Sequence, residues 1–385
     1  MGHVDVINEQ LPQLLEEFSS AQQLGKIELV ESWKTSKSVY WKVLLPWTWE
    51  RFFKIGQKIR IKHEIAAYWK LPDWPHSDLH ESWEVGWFWI YFQDYHQWKY
   101  GRSILEDFGK QISGTSNINE AEVLDNIWRL FQWVRDRYAE TMRQSDIDGE
   151  NDIFFRDRVR QGGMLKKYLD MPVQTDGWVI VSIKDILDFP ITINGEPVDS
   201  TIWEMFNNLV EDFSSPKKRS LVMSQGDITE NNVTLEGHFY DFETGGINSI
   251  TQDVAITLHY LMVLWHYLTP KYSSSFWTLD VNREQLLKNV ESPNAHFTIK
   301  EGRIDFTLDF KCPEFKKKIL KAYVDSIAIP FFRTESWAKE LGHALAFRCL
   351  TTKDLHKVDD NDKILLLGLS LLFFWKNPLD KIPTI

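Results

Sequence analysis

The chain has 385 residues, 43% of them hydrophobic and 26% charged, and a net charge of −11. That length is enough for two lobes or domains with a sizeable core, and the acidic balance argues against a broad binder of nucleic-acid backbone. The two cysteines, Cys312 and Cys349, are too few for a disulfide scaffold or a cysteine-based zinc site and fit a reducing compartment.

The first residues lack a basic-then-apolar leader pattern. The most apolar run, 364–375, is too short to span a bilayer and reads as a buried helix. The expectation is a cytoplasmic protein that binds neither membrane nor nucleic acid. Most of the 18 tryptophans are expected in the core or between lobes, since large rings bury well.

Residues 9–23 have helical spacing, with Leu11, Leu14, Leu15 and Phe18 on one side. Residues 26–45 turn strand-like. Two apolar-rich runs flank the polar turn Lys34-Thr35-Ser36-Lys37-Ser38, which predicts a hairpin. A loop through Pro46-Trp47-Thr48-Trp49 follows. Residues 59–71 return to helical spacing through Ile61, Ile65 and Tyr68, with Glu64 in mid-helix. His76 and His80 lie four apart, but Pro75 and the polar setting favour a loop over a metal-binding helix. Residues 87–92, WFWIYF, form an aromatic strand that Gln93-Asp94-Tyr95 breaks.

Residues 104–169 are mostly helical. The clearest helix is 121–142, with Val123, Ile127, Leu130, Phe131, Val134 and Tyr138 in register. Residues 176–198 read as a strand-rich insertion with a turn at Asn194-Gly195-Glu196-Pro197. A helix over 200–213 has Asp199 or Ser200 as its cap. Residues 253–267 are apolar all round, hence buried, and make His259 and His266 core histidines. A hairpin around Glu301-Gly302 and three helices, 315–329, 334–351 and 360–375, complete the chain.

Between these lies the most informative stretch, 222–260. Gln225-Gly226-Asp227 ends a short apolar run, Asn232 follows five residues after Asp227, and Asp241-Phe242-Glu243 comes after a turn at Glu236-Gly237. A short hairpin over 232–241 would bring the three polar residues to one point. Phosphoryl transfer needs such a set: a carboxylate to orient a hydroxyl and take its proton, and a carboxylate with an amide oxygen to hold Mg²⁺ against phosphates.

These residues resemble the aminoglycoside phosphotransferase and choline kinase group of the protein-kinase-like fold. Its catalytic segment commonly reads H-G-D-x-x-x-x-N, then D-[FW]-[EDG], then D-[LV]-A. Here the chain has Q-G-D-I-T-E-N-N, D-F-E and Asp253-Val254-Ala255. Gln225 stands where histidine is usual, and glutamine can also donate and accept. The resemblance implies an α+β, bilobal, protein-kinase-like fold with a small antiparallel-sheet lobe and a mainly helical large lobe carrying insertions. It divides the chain into an N-terminal extension (1–25), a nucleotide-binding lobe (26–95) and a large lobe (96–385).

It also implies roles. Asp227 is the catalytic base, and Asn232 and Asp241 hold Mg²⁺. Lys42, on the second strand, contacts the phosphates of ATP or GTP and pairs with Glu64. Ser36 and Ser38 belong to a glycine-free phosphate loop, and Tyr91 and Gln93 lie near the adenine. Asp253 supports the catalytic loop. The missing Arg of H-R-D, and the short stretch 244–250 with little room for an activation loop, favour a small-molecule hydroxyl acceptor over a protein. A non-catalytic kinase-like scaffold is the alternative. Glu243 and the acidic run 146–150 could face a cationic acceptor.

Overall fold

The computed structural model describes residues 28–34, 38–44, 50–76, 79–85, 88–94, 103–160, 163–176, 179–272 and 283–382, with five further positions between 13 and 20. Leu11, Leu14, Leu15 and Phe18 of the expected N-terminal helix, the loop 46–49, and Ser36 in the expected phosphate loop lie outside these residues.

Five strands form one antiparallel sheet: β1 (Glu28–Lys34), β2 (Ser38–Leu44), β3 (Glu50–Gln57), β4 (Leu79–Val85) and β5 (Phe88–Asp94). Their order is β1-β2-β3-β5-β4. The β1–β2 hairpin and the aromatic strand β5 match the sequence expectation. β3 does not, because its adjacent Phe52 and Phe53 hide the alternation that marks a strand. In the folded chain Phe53 and Ile55 are fully buried, and Lys54 between them is also buried. A strand enclosed on both sides reads as a run rather than an alternation.

Helix α1 (Lys58–Lys70) leaves β3 without a break and buries Ile61, Glu64, Ala67 and Tyr68. It packs on β3 and β5 and, on its other side, against the 3₁₀ turn Phe242–Thr244. Tyr68 meets Phe242 edge-on at 5.4 Å, which joins the sheet to the rest of the molecule.

That remainder is largely helical. α2 (Ile104–Ser113) starts at Ser103, whose hydroxyl accepts from the Glu106 amide. α3 (Glu120–Thr141) buries the six residues that the spacing selected. α4 is Glu150–Val159. α5 (Ile202–Ser214) starts two residues later than expected. Thr201, not Asp199 or Ser200, is its cap, because Thr201 and Glu204 bond each other's backbone amides at 3.1 and 2.9 Å. α6 (Ile250–His259) continues as a π-helical stretch through Leu268. α7 (Glu314–Tyr323), α8 (Glu335–Thr351) and α9 (Asp360–Trp375) are the long helices of the last part of the chain.

Smaller sheets brace this body. β6 (Arg143–Ser145), β11 (Arg219–Ser224) and β12 (Gly246–Ser249) form one, and β7 (Pro172–Gln174) pairs with β8 (Ile180–Ser182). β9 (Ile191–Ile193) and β10 (Glu196–Val198) join β13 (Asn294–Lys300) and β14 (Arg303–Asp309) in a four-stranded sheet, with β9 parallel to β14. Thus the second half of the expected insertion and the late hairpin are parts of one sheet. The late hairpin turns at Glu301-Gly302, both at positive φ (50° and 74°), the geometry its tight turn requires.

Burial is described for eight of the 18 tryptophans, and of these Trp133, Trp337 and Trp375 pack against the core. Among those whose burial is described, only Trp74 is fully buried, while Trp69, Trp128 and Trp203 are 64%, 50% and 45% exposed. Others sit under cations, as Trp89 does beneath Lys62 at 4.3 Å. Cys312 and Cys349 are free and buried, and burial pushes both thiols up to about 12. Among the described residues no helix is long and apolar enough to cross a membrane.

Candidate functional site

The site begins with one lysine. Lys54 on β3 donates to Glu64 Oε2 at 2.6 Å and to Asp241 Oδ1 at 2.9 Å. Tyr91 on β5 donates its hydroxyl to Glu64 Oε1 at 2.7 Å. Burial raises the Glu64 carboxyl above its usual range, and the Lys54 ammonium opposes that rise. Strand, helix and loop are therefore tied together through a single ammonium group.

This corrects the strand lysine expected from the sequence. Glu64 pairs with Lys54, not Lys42, which lies one strand over, opposite Phe52. The expectation placed the lysine on the second strand because β3 was hidden. The side chain of Tyr91 orders Glu64, a contact that the sequence expectation did not include. Gln93 lies opposite Phe52 on β3, and Ser38 opposite Gly56, but their side chains are outside the description.

The second half of the site is the segment 225–241. It folds as the short hairpin that the spacing implied, with a bridge between Val233 and Phe239 and a bond from Tyr240 N to Asn232 O at 2.8 Å. Phe239 is fully buried against Trp74 and Trp133, which anchors the hairpin. Asn232 Nδ2 donates to Asp227 O at 3.0 Å and to Asp227 Oδ2 at 3.2 Å.

Gln225 performs the bonding that its position demands. Its Nε2 donates to the carbonyls of Tyr240 and Asp241, each at 2.7 Å, and its Oε1 accepts from the Asp227 amide at 2.9 Å. One buried amide thus holds Asp227 and Asp241 in register. Gly226, at φ 83°, is required between them: a Cβ there would sit 2.2 Å from Thr244 O. Asp241 itself is left-handed at φ 53°, uncommon for a residue with a side chain. That backbone turns the Asp241 carboxylate to Lys54 while Phe242 drops beneath α1.

Helix α6 supports the loop from below. Thr257 donates to Ile228 O at 2.7 Å. Asp253 accepts from Tyr138 and is fully buried. Burial lifts its carboxyl to about 6, against the opposing hydrogen bonds from Tyr138 and Ser224. A carboxyl raised in the folded state stabilises fully below its unfolded pKa of about 4, and that stability is lost as pH rises through the folded pKa. Asp253→Asn does not titrate. The stability of wild type relative to Asp253→Asn should therefore fall by about 3 kcal/mol between about pH 4 and pH 7. Urea unfolding across that range checks it, and a pH-independent difference would refute it.

His76 lies under the Tyr68 ring at 3.8 Å, an aromatic packing position. His80 is on β4 with its side chain outside the description. His259 and His266 are buried in the core, and burial depresses both imidazoles below their usual range, so they stay neutral. Among the described residues no three His, Cys, Asp or Glu side chains cluster as a metal-ligand set. Asn232 uses its amide nitrogen on Asp227, a contact that does not spend its carbonyl oxygen, and the Asp241 side chain is 36% exposed. An amide oxygen plus a carboxylate suits a hard cation such as Mg²⁺, which commonly keeps waters and substrate phosphates as its other ligands.

No protein-family model matches the chain, and no curated protein matches it in sequence. Solved structures do show likeness. An amicoumacin kinase in complex with AMP-PNP and Ca²⁺ aligns with 98% of this chain and 96% of its own, at 10% identity and a TM-score of 0.49. An aminoglycoside-3′-phosphotransferase of type VIII aligns with 81% of this chain and 98% of its own, at 12% identity and a TM-score of 0.38. A putative fructosamine-3-kinase from Thermobifida fusca aligns with 92% of this chain and 97% of its own, at 10% identity and a TM-score of 0.41.

Proposed function

We propose that the protein is a phosphotransferase that moves the γ-phosphoryl group of ATP or GTP to a hydroxyl of a small molecule. The observation that carries this reading is the chain of contacts Glu64–Lys54–Asp241, which runs into a loop where Asn232 holds Asp227. A buried lysine shared by a helix glutamate and a loop aspartate has an evident use in orienting phosphates. In this reading residues 26–95 form the nucleotide lobe and 96–385 form the large lobe.

Lys54, held by Glu64, which Tyr91 orders in turn, positions the α- and β-phosphates. Asn232 and Asp241 would hold Mg²⁺, which supplies charge neutralisation on the phosphates. Asp227 orients the acceptor hydroxyl and takes its proton as the new O–P bond forms and the bond to the β-phosphate breaks, leaving ADP or GDP. Placement and electrostatics supply the rate in such a loose transition state.

Thermal unfolding with Mg²⁺–ATP and Mg²⁺–GTP tests the reading. Nucleotide at 100 times its Kd should add about 2.7 kcal/mol to native stability. The rise in midpoint should require metal and should vanish in Asp241→Ala. No shift of the wild type at saturating nucleotide would overturn the reading in favour of a kinase-like binding protein.

A further inference from the structure

The segment 227–233 is held by three helices. The first amides of α2 have no partner inside their own helix. Leu105 N donates to Glu230 O at 2.7 Å and Ile104 N to Val233 O at 2.8 Å, so the loop caps the helix as the helix fixes the loop. From α6 comes the Thr257 bond to Ile228 O. From α7 comes Lys316, whose ammonium pairs with the Glu230 carboxylate.

That third link differs from the others. It joins side chain to side chain across 86 residues of sequence. Lys316 is 0% and Glu230 3% exposed. The Lys316 ammonium lies 4.6 Å from the Phe108 ring, which meets Phe315 edge-on at 5.7 Å, so apolar surface from α2 and α7 walls the pair. Glu230 Oε1 takes the ammonium, while Oε2 is buried with no hydrogen-bond partner.

Two ions buried in this way, with one carboxylate oxygen unpaired, are a poor stability device. Apolar side chains of similar size in their place are often neutral or stabilising, because the desolvation cost disappears. What the ion pair adds is direction. Few arrangements keep both charges compensated, whereas apolar contacts tolerate many. Glu230 stands three residues after Asp227 and two before Asn232, and Asn232 N closes a turn onto Thr229 O at 3.0 Å. Fixing Glu230 therefore fixes the arc that carries both Asp227 and Asn232.

We propose that Glu230 and Lys316 are positioning residues, whose buried pair sets the arc 227–232 so that Asp227 meets the acceptor and Asn232 the metal. Both act through the loop backbone, and the pair contributes placement rather than stability. The roles of Asp227 and Asn232 rest on the phosphotransferase reading, but the anchoring of the loop does not.

The double variant Glu230→Met/Lys316→Met of the full chain tests this, since it removes both ions and strands neither. Its urea midpoint should equal or exceed that of wild type. Hydrogen exchange in the peptide 225–233 should nevertheless rise by about 10-fold or more, while α3 exchanges as in wild type. ADP release from Mg²⁺–ATP, with water as acceptor, should fall by about 10²-fold, the cost of a misplacement of about 1 Å. The nucleotide-induced rise in midpoint should persist, because Lys54 and Asp241 are untouched. A merely structural pair would move the midpoint and the exchange of every segment together. Three results would overturn the proposal: loop exchange unchanged from wild type, a lower midpoint or no folded protein with exchange raised throughout, or ADP release as fast as that of wild type. If loop exchange alone rises but nucleotide shifts no wild-type midpoint, the anchor stands and the phosphotransferase reading falls.

Discussion

Asp227→Asn should lower acceptor-dependent ADP formation by about 10²–10⁴-fold, the range that a positioned general base contributes. The substitution leaves the loop in place. The contact that sets its position is the Asp227 amide donating to Gln225, which the side chain does not make. The Asn232 contact to Oδ2 is long, at 3.2 Å, and an asparagine oxygen can still accept it. The nucleotide-induced rise in unfolding midpoint should therefore persist in the variant. Loss of turnover with retained nucleotide binding separates proton abstraction from phosphate binding. Turnover within a few-fold of wild type would remove Asp227 from the chemistry.

Lys54→Met should have the next largest effect, and Lys42→Met almost none. Lys54 is 3% exposed and lies between two carboxylates. Its loss strands Glu64 in a buried position with only the Tyr91 hydroxyl for company. Breaking such a pair costs roughly 3 kcal/mol, at the lower end for buried pairs because the Asp241 side chain is partly exposed. Removing one preorganised cation from the phosphates should lower turnover by about 10²–10³-fold. Lys42, one strand away, should leave both urea midpoint and turnover within experimental error. If Lys42→Met were the damaging variant, the pairing with Glu64 would not be the functional one.

The contrast between those two lysines shows what a sequence can reveal. Asp227, Asn232 and Asp241 are legible because a short hairpin gathers them, so their spacing is nearly their geometry. Lys54 is not, because its partner Asp241 is 187 residues away and is brought in by packing of α1 on the 3₁₀ turn. The signal was present in Phe53-Lys54-Ile55, a lysine inside an apolar run ten residues before Glu64. Long amphipathic helices such as α3 are legible residue by residue, since their period is set by the core they face. The pairing of β9 with β14 is not, because parallel partners over a hundred residues apart leave no local mark.

The placement of the two cysteines has a practical consequence. Both lie in the last quarter of the chain, and both thiols are buried and held protonated near neutral pH. Thiolate is the reactive form, so an alkylating reagent meets almost none while the helical body is closed. Modification then proceeds only through opening of that body, and its rate at fixed reagent becomes a clock for that opening. The five-stranded sheet, which has no cysteine, keeps silent in such an experiment. An unmutated chain thereby reports the breathing of one half of the molecule apart from the other.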